Sequence, residues 1–187
     1  SVHKKGLFGD HHKKNENELL NISEVKNMNI IQVVQYKSST VHIKSISIDG
    51  LELSLQSTNV SSNKKTRILW NAPRTWLIVS KSEDTLKIIK EACNDENFAI
   101  TDISHSRAII QISGAQSKEV LKKGCPINFN EFKNGNCAGS VFHGINIVVD
   151  CIDEEQQIFN LFTLRSFGNS LYHHITDSSL EFGYIGV

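Results

Sequence analysis

Residues 101–126 read TDISHSRAIIQISGAQSKEVLKKGCP, and the way this run folds decides the class of the whole chain. Two apolar, β-branched runs, Phe98–Ser104 and Arg107–Ser113, flank His105-Ser106 and read as a hairpin. Gly114 closes the second run, Ala115–Lys123 reads as a helix, and Gly124 with Pro126 stops it. Upstream, Asn29–Gln35 (NIIQVVQ) is a strand, while Thr40–Ile48 fits either an alternating strand or a short helix. Leu51, Leu53 and Leu55 alternate with Glu52, Ser54 and Gln56 as a half-buried strand does, and Thr58–Lys65 is a polar loop. Thr66–Trp70 and Thr75–Ser80 are strands joined by Asn71-Ala72-Pro73-Arg74, with Pro73 pre-setting the turn. Ser82 is placed to cap a helix running to about Cys93, with Leu86, Ile89 and Cys93 on one face. Downstream of a polar loop, Asn128–Asn136, three strands follow: Cys137–Phe142, Ile145–Cys151 and Gln157–Leu164, turning at His143-Gly144 and Asp153–Glu155. Ser166–Phe182 closes the sequence as an amphipathic helix, Ser166 at its cap and Phe167, Leu171, Ile175 and Leu180 inward. Hairpins outnumber βαβ units, so the expected class is α+β with mainly antiparallel sheets and packed helices.

The chain has 187 residues, one domain at about 150 residues per domain, or two small lobes. Residues 1–20 are rich in Lys and His and carry no period that buries a face, so they are read as a flexible basic tail. Residues 21–187 are read as the folded part, with lobes at about 21–95 and 96–187. Twenty basic side chains balance twenty acidic ones, which argues against a nucleic-acid partner, because phosphate-backbone affinity comes from an excess of Lys and Arg. No apolar run approaches the ~20 residues that span a bilayer, so no membrane partner is expected. Leu7 and Phe8 lie among lysines rather than in a signal-peptide core, and the four cysteines form no Cys-x-x-Cys. A cytoplasmic location with free thiols is the expectation.

Several residues could carry chemistry. Asp102, Ser104 and His105 hold the residue types of a hydrolytic triad. On a strand, however, Asp102 and Ser104 share a face and His105 points away, so a polar turn cluster is the preferred reading. Cys125, Cys137, His143 and Cys151 are spaced too widely for a structural zinc site, and His173-His174 diverge by ~100° on a helix. Ser113-Gly114-Ala115 precedes a helix and reads either as an anion cradle or as a plain strand-to-helix turn. Arg74, Arg107 and Arg165 stand out among only four arginines as anchors for a carboxylate within the fold or across an interface. No catalytic, cofactor-binding or metal-binding residue is assigned, leaving a small-ligand binder or a non-catalytic subunit.

The same stretch also carries a family likeness. A D-x-S-H-x-R hairpin (Asp102, Ser104, His105, Arg107), a strand ending in Ser-Gly, a helix ending in Leu and a Lys-Gly-Cys-Pro segment together resemble the gamma subunit of heterotetrameric sarcosine oxidase. Leu69-Trp70 with Arg74-Thr75-Trp76-Leu77-Ile78 upstream, and Arg165-Ser166-Phe167 with Tyr172-His173 downstream, extend the resemblance over about Ser23–Gly183. Lys123-Gly124-Cys125 is also similar to a motif of folate-dependent iron–sulfur repair proteins, but Pro126-Ile127-Asn128 follows where those have Gly-Gln-Glu, so it is read as a tight turn. The Lys/His-rich start and the long Asn128–Asn136 loop depart from the family pattern.

The resemblance implies a fold related to the folate-binding domains of glycine-cleavage aminomethyltransferases, and partnership with alpha, beta and delta subunits. It implies a reaction in which the N-methyl group of sarcosine is oxidised at a flavin. Glycine is released, tetrahydrofolate takes up the one-carbon unit as co-substrate, and hydrogen peroxide forms. FAD, FMN, NAD and zinc are expected on the other subunits and none on this chain. The alternative is a stand-alone folate-binding module of one-carbon metabolism. Asp102, Ser104, Arg107, Arg165, Trp70, Trp76 and Tyr172 are the structural or interface candidates, with Phe142 as a further aromatic on a docking face.

Overall fold

The structure, a computed structural model, describes residues 6–12 and 14–186. In chain order the strands are Gly6–Phe8 (β1), Leu20–Glu24 (β2), Asn29–Gln35 (β3), Ser47–Ile48 (β4), Leu51–Glu52 (β5), Val60–Ser62 (β6), Thr66–Ala72 (β7), Thr75–Ser80 (β8), Phe98–Asp102 (β9), Arg107–Ser113 (β10), Cys137–Phe142 (β11), Ile145–Asp153 (β12), Ile158–Leu164 (β13) and Tyr184–Gly186 (β14). The α-helices are Thr85–Ala92 (α1), Ser117–Lys122 (α2) and Gly168–Ser179 (α3). The class is α+β with mainly antiparallel sheets: β3 runs antiparallel to β8 and β10 to β13, whereas β2 and β14 run parallel.

Two compact units divide the chain, and neither is contiguous. One holds the residues up to 26 together with 106–134 and 139–187; the other holds 27–105 and 135–138. A division at 95/96 is therefore corrected. β9 pairs with β3, setting Ile31 opposite Asp102, so the boundary falls after residue 105. The expected hairpin of Phe98–Ser104 with Arg107–Ser113 is corrected by the same pairing. β10 pairs with β2 and β13 in a different sheet, and the 3-10 turn Ser104–Ser106 carries the chain from one sheet to the next. Strand periodicity identifies both runs but says nothing about which partner each one finds.

The five-stranded unit has the order β6-β7-β8-β3-β9. Val33 and Ile31 on β3 lie opposite Trp76 and Ile78 on β8, and all four are essentially fully buried. α1 packs on β4 and β9 through Ile89 and Cys93. It starts at Thr85 because the Thr85 amide and hydroxyl both donate to the Ser82 carbonyl (3.3 and 2.6 Å), so Ser82 serves the turn through its main chain and its side chain is not the cap. Asp49 and Gly50 take φ of 53° and 74°, the left-handed pair that a two-residue hairpin needs, which resolves the ambiguous stretch into a 3-10 turn at Ile43–Ser45 followed by β4 and β5. The Leu51–Gln56 alternation stops after Glu52: the Ser54 carbonyl accepts from the Trp76 indole (2.7 Å), and Leu55 is left exposed. The Thr58–Lys65 loop contains the short edge strand β6.

The seven-stranded unit has the order β1-β14-β2-β10-β13-β12-β11. Ile22, Ile110, Ile112, Val149, Phe159 and Leu161 are buried along it. α3 packs on β10, β13 and α2, burying Leu171, Tyr172 and Ile175. His143-Gly144 joins β11 to β12, with φ of 45° and 83°. Leu171 and Ile175 point inward as expected. Phe167 and Leu180 do not, because α3 begins at Gly168 after a 3-10 turn and ends at Ser179, which leaves both outside the helical face. Ser166 makes no cap bond. Part of the expected tail is ordered: β1 lies antiparallel on β14, and Phe8 stacks on Tyr184 at 5.2 Å. A three-residue edge strand with one aromatic contact is too short to show a period. Residues 1–5 and 13 of the expected tail lie outside the described residues. Among the described residues no helix is long and apolar enough to cross a membrane.

Candidate functional site

The D-x-S-H-x-R segment is built as a hydrogen-bond relay. The Asp102 carboxylate accepts from the Ser104 amide (2.9 Å) and hydroxyl (2.6 Å), and the Ser104 oxygen in turn accepts from the Ile30 amide (2.9 Å). These bonds hold the Asp102 carboxyl below the ordinary 3.8, with the Ser104 bonds the largest cause and His105 a minor one. The Ser104 hydroxyl thus donates to the Asp102 carboxylate and accepts from the Ile30 amide, which engages it in building a turn rather than pairing with His105 as a nucleophile, and the segment lies at the sheet-to-sheet passage. Ser104→Ala is expected to cost about 1–3 kcal/mol, because Ile30 is buried and its amide loses its partner. A folded carboxyl below its unfolded value stabilises above that value and stops doing so as pH falls through the depressed value. The wild type is therefore expected to lose stability below about pH 4 with a limb that Ser104→Ala flattens, checked by urea unfolding from pH 3 to 7.

Arg107 opens β10 directly opposite Leu164 on β13. Its side chain enters a cleft of about 320 Å³ lined also by Gly144, Ile145, Asn146 and Phe167. Leu164 and Phe167 are 44% and 47% exposed, among the largest apolar side chains left in solvent. Arg165, between them in sequence, donates to the Arg107 carbonyl at 2.8 Å and fixes the end of β13 against the start of β10. Arg74 also meets a main-chain carbonyl, that of Tyr36 at 2.9 Å, from a left-handed turn position. A second, smaller cleft of about 170 Å³ is lined by Asp49, Lys65, Thr66, Ser82, Asp84 and Thr85. There Thr66 and Asn63 hold the Asp49 carboxyl below its usual range. Nothing in the sequence beyond the Asp-Gly turn marks that place.

The other candidates fall in the core. Trp76, Phe142 and Tyr172 are each at most 1% exposed, so they are not available to a partner; only Trp70 is half-buried. The Tyr172 hydroxyl has no partner among the described residues, and burial pushes its titration upward. The Cys125 thiol meets the Ser140 hydroxyl (3.3 Å), the Cys137 thiol the Trp70 carbonyl (3.2 Å) and the Cys151 thiol the Asn134 side chain (3.9 Å). Burial pushes the Cys93 thiol up to about 11. Among the described residues no group of three metal-ligating side chains converges. His143 lies 5.2 Å from His174, ring to ring, and 3.4 Å from the Ser178 hydroxyl. Past Ser113-Gly114-Ala115 two amides of the helix start are occupied, Ser117 on the Gly114 carbonyl and Lys118 on the Gln157 side chain, which favours the plain turn.

Residues 38–181 match the model of the sarcosine oxidase gamma subunit family. The chain belongs to that family. A curated relative, sarcosine oxidase subunit gamma of Corynebacterium sp. (strain U-96), is 25% identical over 118 residues, which are 63% of this chain and 58% of the relative; the match thus spans little more than half of the relative's length. A chain of the solved heterotetrameric sarcosine oxidase from Corynebacterium sp. U-96, in complex with pyrrole 2-carboxylate, superposes with a TM-score of 0.80 at 21% identity, covering 89% of this chain and 86% of that one. Aminomethyltransferase T of the glycine cleavage system from Bartonella henselae gives a TM-score of 0.65 at 12% identity, over 92% of this chain and 48% of that one. This chain shares the fold of about half of that transferase, as the resemblance in the sequence implied.

Proposed function

We propose that this chain is the non-catalytic gamma subunit of a heterotetrameric sarcosine oxidase, joined to alpha, beta and delta subunits in the cytoplasm. The observation that carries the reading is the family match over residues 38–181, supported by a fold likeness that covers most of both chains. The complex would oxidise the N-methyl group of sarcosine, release glycine, pass the one-carbon unit to tetrahydrofolate and form hydrogen peroxide. FAD, FMN, NAD and zinc would be held by the other subunits. In this chain Asp102 and Ser104 are engaged in building a turn, and the large aromatics in filling a core, which suits a scaffold rather than a reacting centre.

The test is co-expression of the tagged chain with the alpha, beta and delta subunits. The expected result is a four-component, flavin-coloured particle that oxidises sarcosine, while the chain purified alone is colourless. Recovery of this chain by itself from the co-expression overturns the reading. Saturable binding of tetrahydrofolate to the lone chain would move the assignment to a stand-alone folate-binding module.

A further inference from the structure

The cleft at Arg107 holds a cation that the fold leaves without a counter-charge. The Arg107 carbonyl is used by Arg165, but among the described residues the Arg107 guanidinium has neither a carboxylate nor a carbonyl partner. The side chain is half-buried, at the start of a central strand of the seven-stranded sheet. A guanidinium carries five donors in a planar fork suited to a carboxylate, and partial burial raises the cost of leaving them unmatched.

The surroundings select the sign and shape of what fits. The residues that line the cleft, Arg107, Gly144, Ile145, Asn146, Leu164 and Phe167, include no Asp or Glu, although the chain as a whole has as many acids as bases. Arg165 and His143 adjoin them in sequence. Leu164 and Phe167 line the same cleft as Arg107, each nearly half exposed to water. A small free anion would satisfy Arg107 and leave both apolar side chains wet. A protein surface that presents an acidic side chain next to an apolar one satisfies all three. Arg and aromatic residues with an apolar neighbour are also the side chains most often found to dominate a protein–protein contact.

We propose that the Arg107–Leu164–Phe167 cleft is the docking point for an acidic-apolar segment of a partner subunit, with an Asp or Glu carboxylate seated on the Arg107 guanidinium and an adjacent apolar side chain covering Leu164 and Phe167. The proposal rests on the reading of the chain as a gamma subunit, and it assigns that subunit a contact point and its partner a chemistry. Charge supplies the orientation of the docked segment and apolar cover supplies most of its retention.

The experiment uses the full chain in its co-expressed complex. Arg107→Glu and Phe167→Ser are each expected to weaken assembly by about 30-fold or more, as central contact residues do. Arg107→Lys is expected to retain part of the affinity, and raised salt to weaken the wild-type complex but not the Arg107→Glu one. Melting of each isolated variant within about 2 °C of wild type separates docking from folding; should Arg107→Glu unfold, Phe167→Ser, which is outside the core, carries the test alone. Unchanged assembly of both variants beside an assembling wild type overturns the docking point and leaves the gamma-subunit reading intact. A wild type that fails to assemble overturns both. Binding of glutarate to the isolated chain that Arg107→Glu abolishes, with assembly unaffected, overturns the docking point in favour of a small-carboxylate site.

Discussion

Phe129→Ala is expected to destabilise the chain by about 3–5 kcal/mol, the usual cost of truncating a fully buried phenylalanine. The size is not what its neighbourhood advertises. Residues 128–136 read NFNEFKNGN and look like a solvated loop. In the structure Phe129 has no exposed surface, and its ring meets Phe159 edge to face (5.7 Å, 83°) and Phe132 likewise (5.9 Å, 69°). Phe159 belongs to β13, within the seven-stranded sheet. The loop is thus pinned to the sheet by two phenylalanines, and the Asn134 side chain adds a bond from the Glu154 amide at 2.6 Å. Truncation removes the apolar area, the aromatic pairs and the anchor together. A fall in melting temperature of roughly 10 °C is expected for a chain of this length. Asn130→Ala in the same loop, where the side chain is exposed, is expected to fall within about 0.5 kcal/mol of wild type. Urea midpoints of the two variants decide the matter; equal midpoints would show that the loop does not depend on Phe129.

Trp76→Ala is expected to cost at least as much in the five-stranded unit. Trp76 is completely buried on β8, opposite Val33 on β3 and Trp70 on β7. It has a second task, since its indole nitrogen donates to the Ser54 carbonyl and draws the 53–56 segment against the sheet. The two contributions separate by substitution. Trp76→Phe keeps most of the apolar volume and abandons the hydrogen bond, so a loss of about 1–3 kcal/mol is expected. Trp76→Ala also opens a large void, and about 3–5 kcal/mol is expected. Hydrogen exchange at residues 53–56 should accelerate in both variants; acceleration in the alanine variant alone would assign the segment's order to packing rather than to the bond.

These two residues also mark where the sequence is readable. β3 and β11 are legible to the residue, because a β-branched run and a strand bounded by turn residues carry their own signal. A hairpin at 98–113 is the wrong reading, because the pairing of β9 with β3 and of β10 with β13 joins residues 47 (Ile112 and Phe159) to 71 (Ile31 and Asp102) positions apart. Phe129 and Phe132 are hidden among asparagines, where composition points to solvent. At the candidate site, residue type singles out Arg107 and Arg165, and a motif singles out Phe167. Helical periodicity nevertheless turns Phe167 inward, since it extends a helix through what is a 3-10 turn at Arg165–Phe167. That Arg107 faces Leu164 across two strands is a fact of register, which no local pattern contains.

The discontinuous make-up of the two units has a consequence for anyone who trims the gene. The polypeptide passes between its two compact units after residues 26, 105, 134 and 138. The five-stranded body is therefore a guest threaded into its host, interrupted once more by a four-residue return. No single end-point truncation isolates either body whole: shortening from one side removes β2 from the host, and shortening from the other removes the 135–138 segment that bridges Asn59 through Asn136. A dissection that respects the architecture has to excise the guest from the middle and reseal the host across the gap.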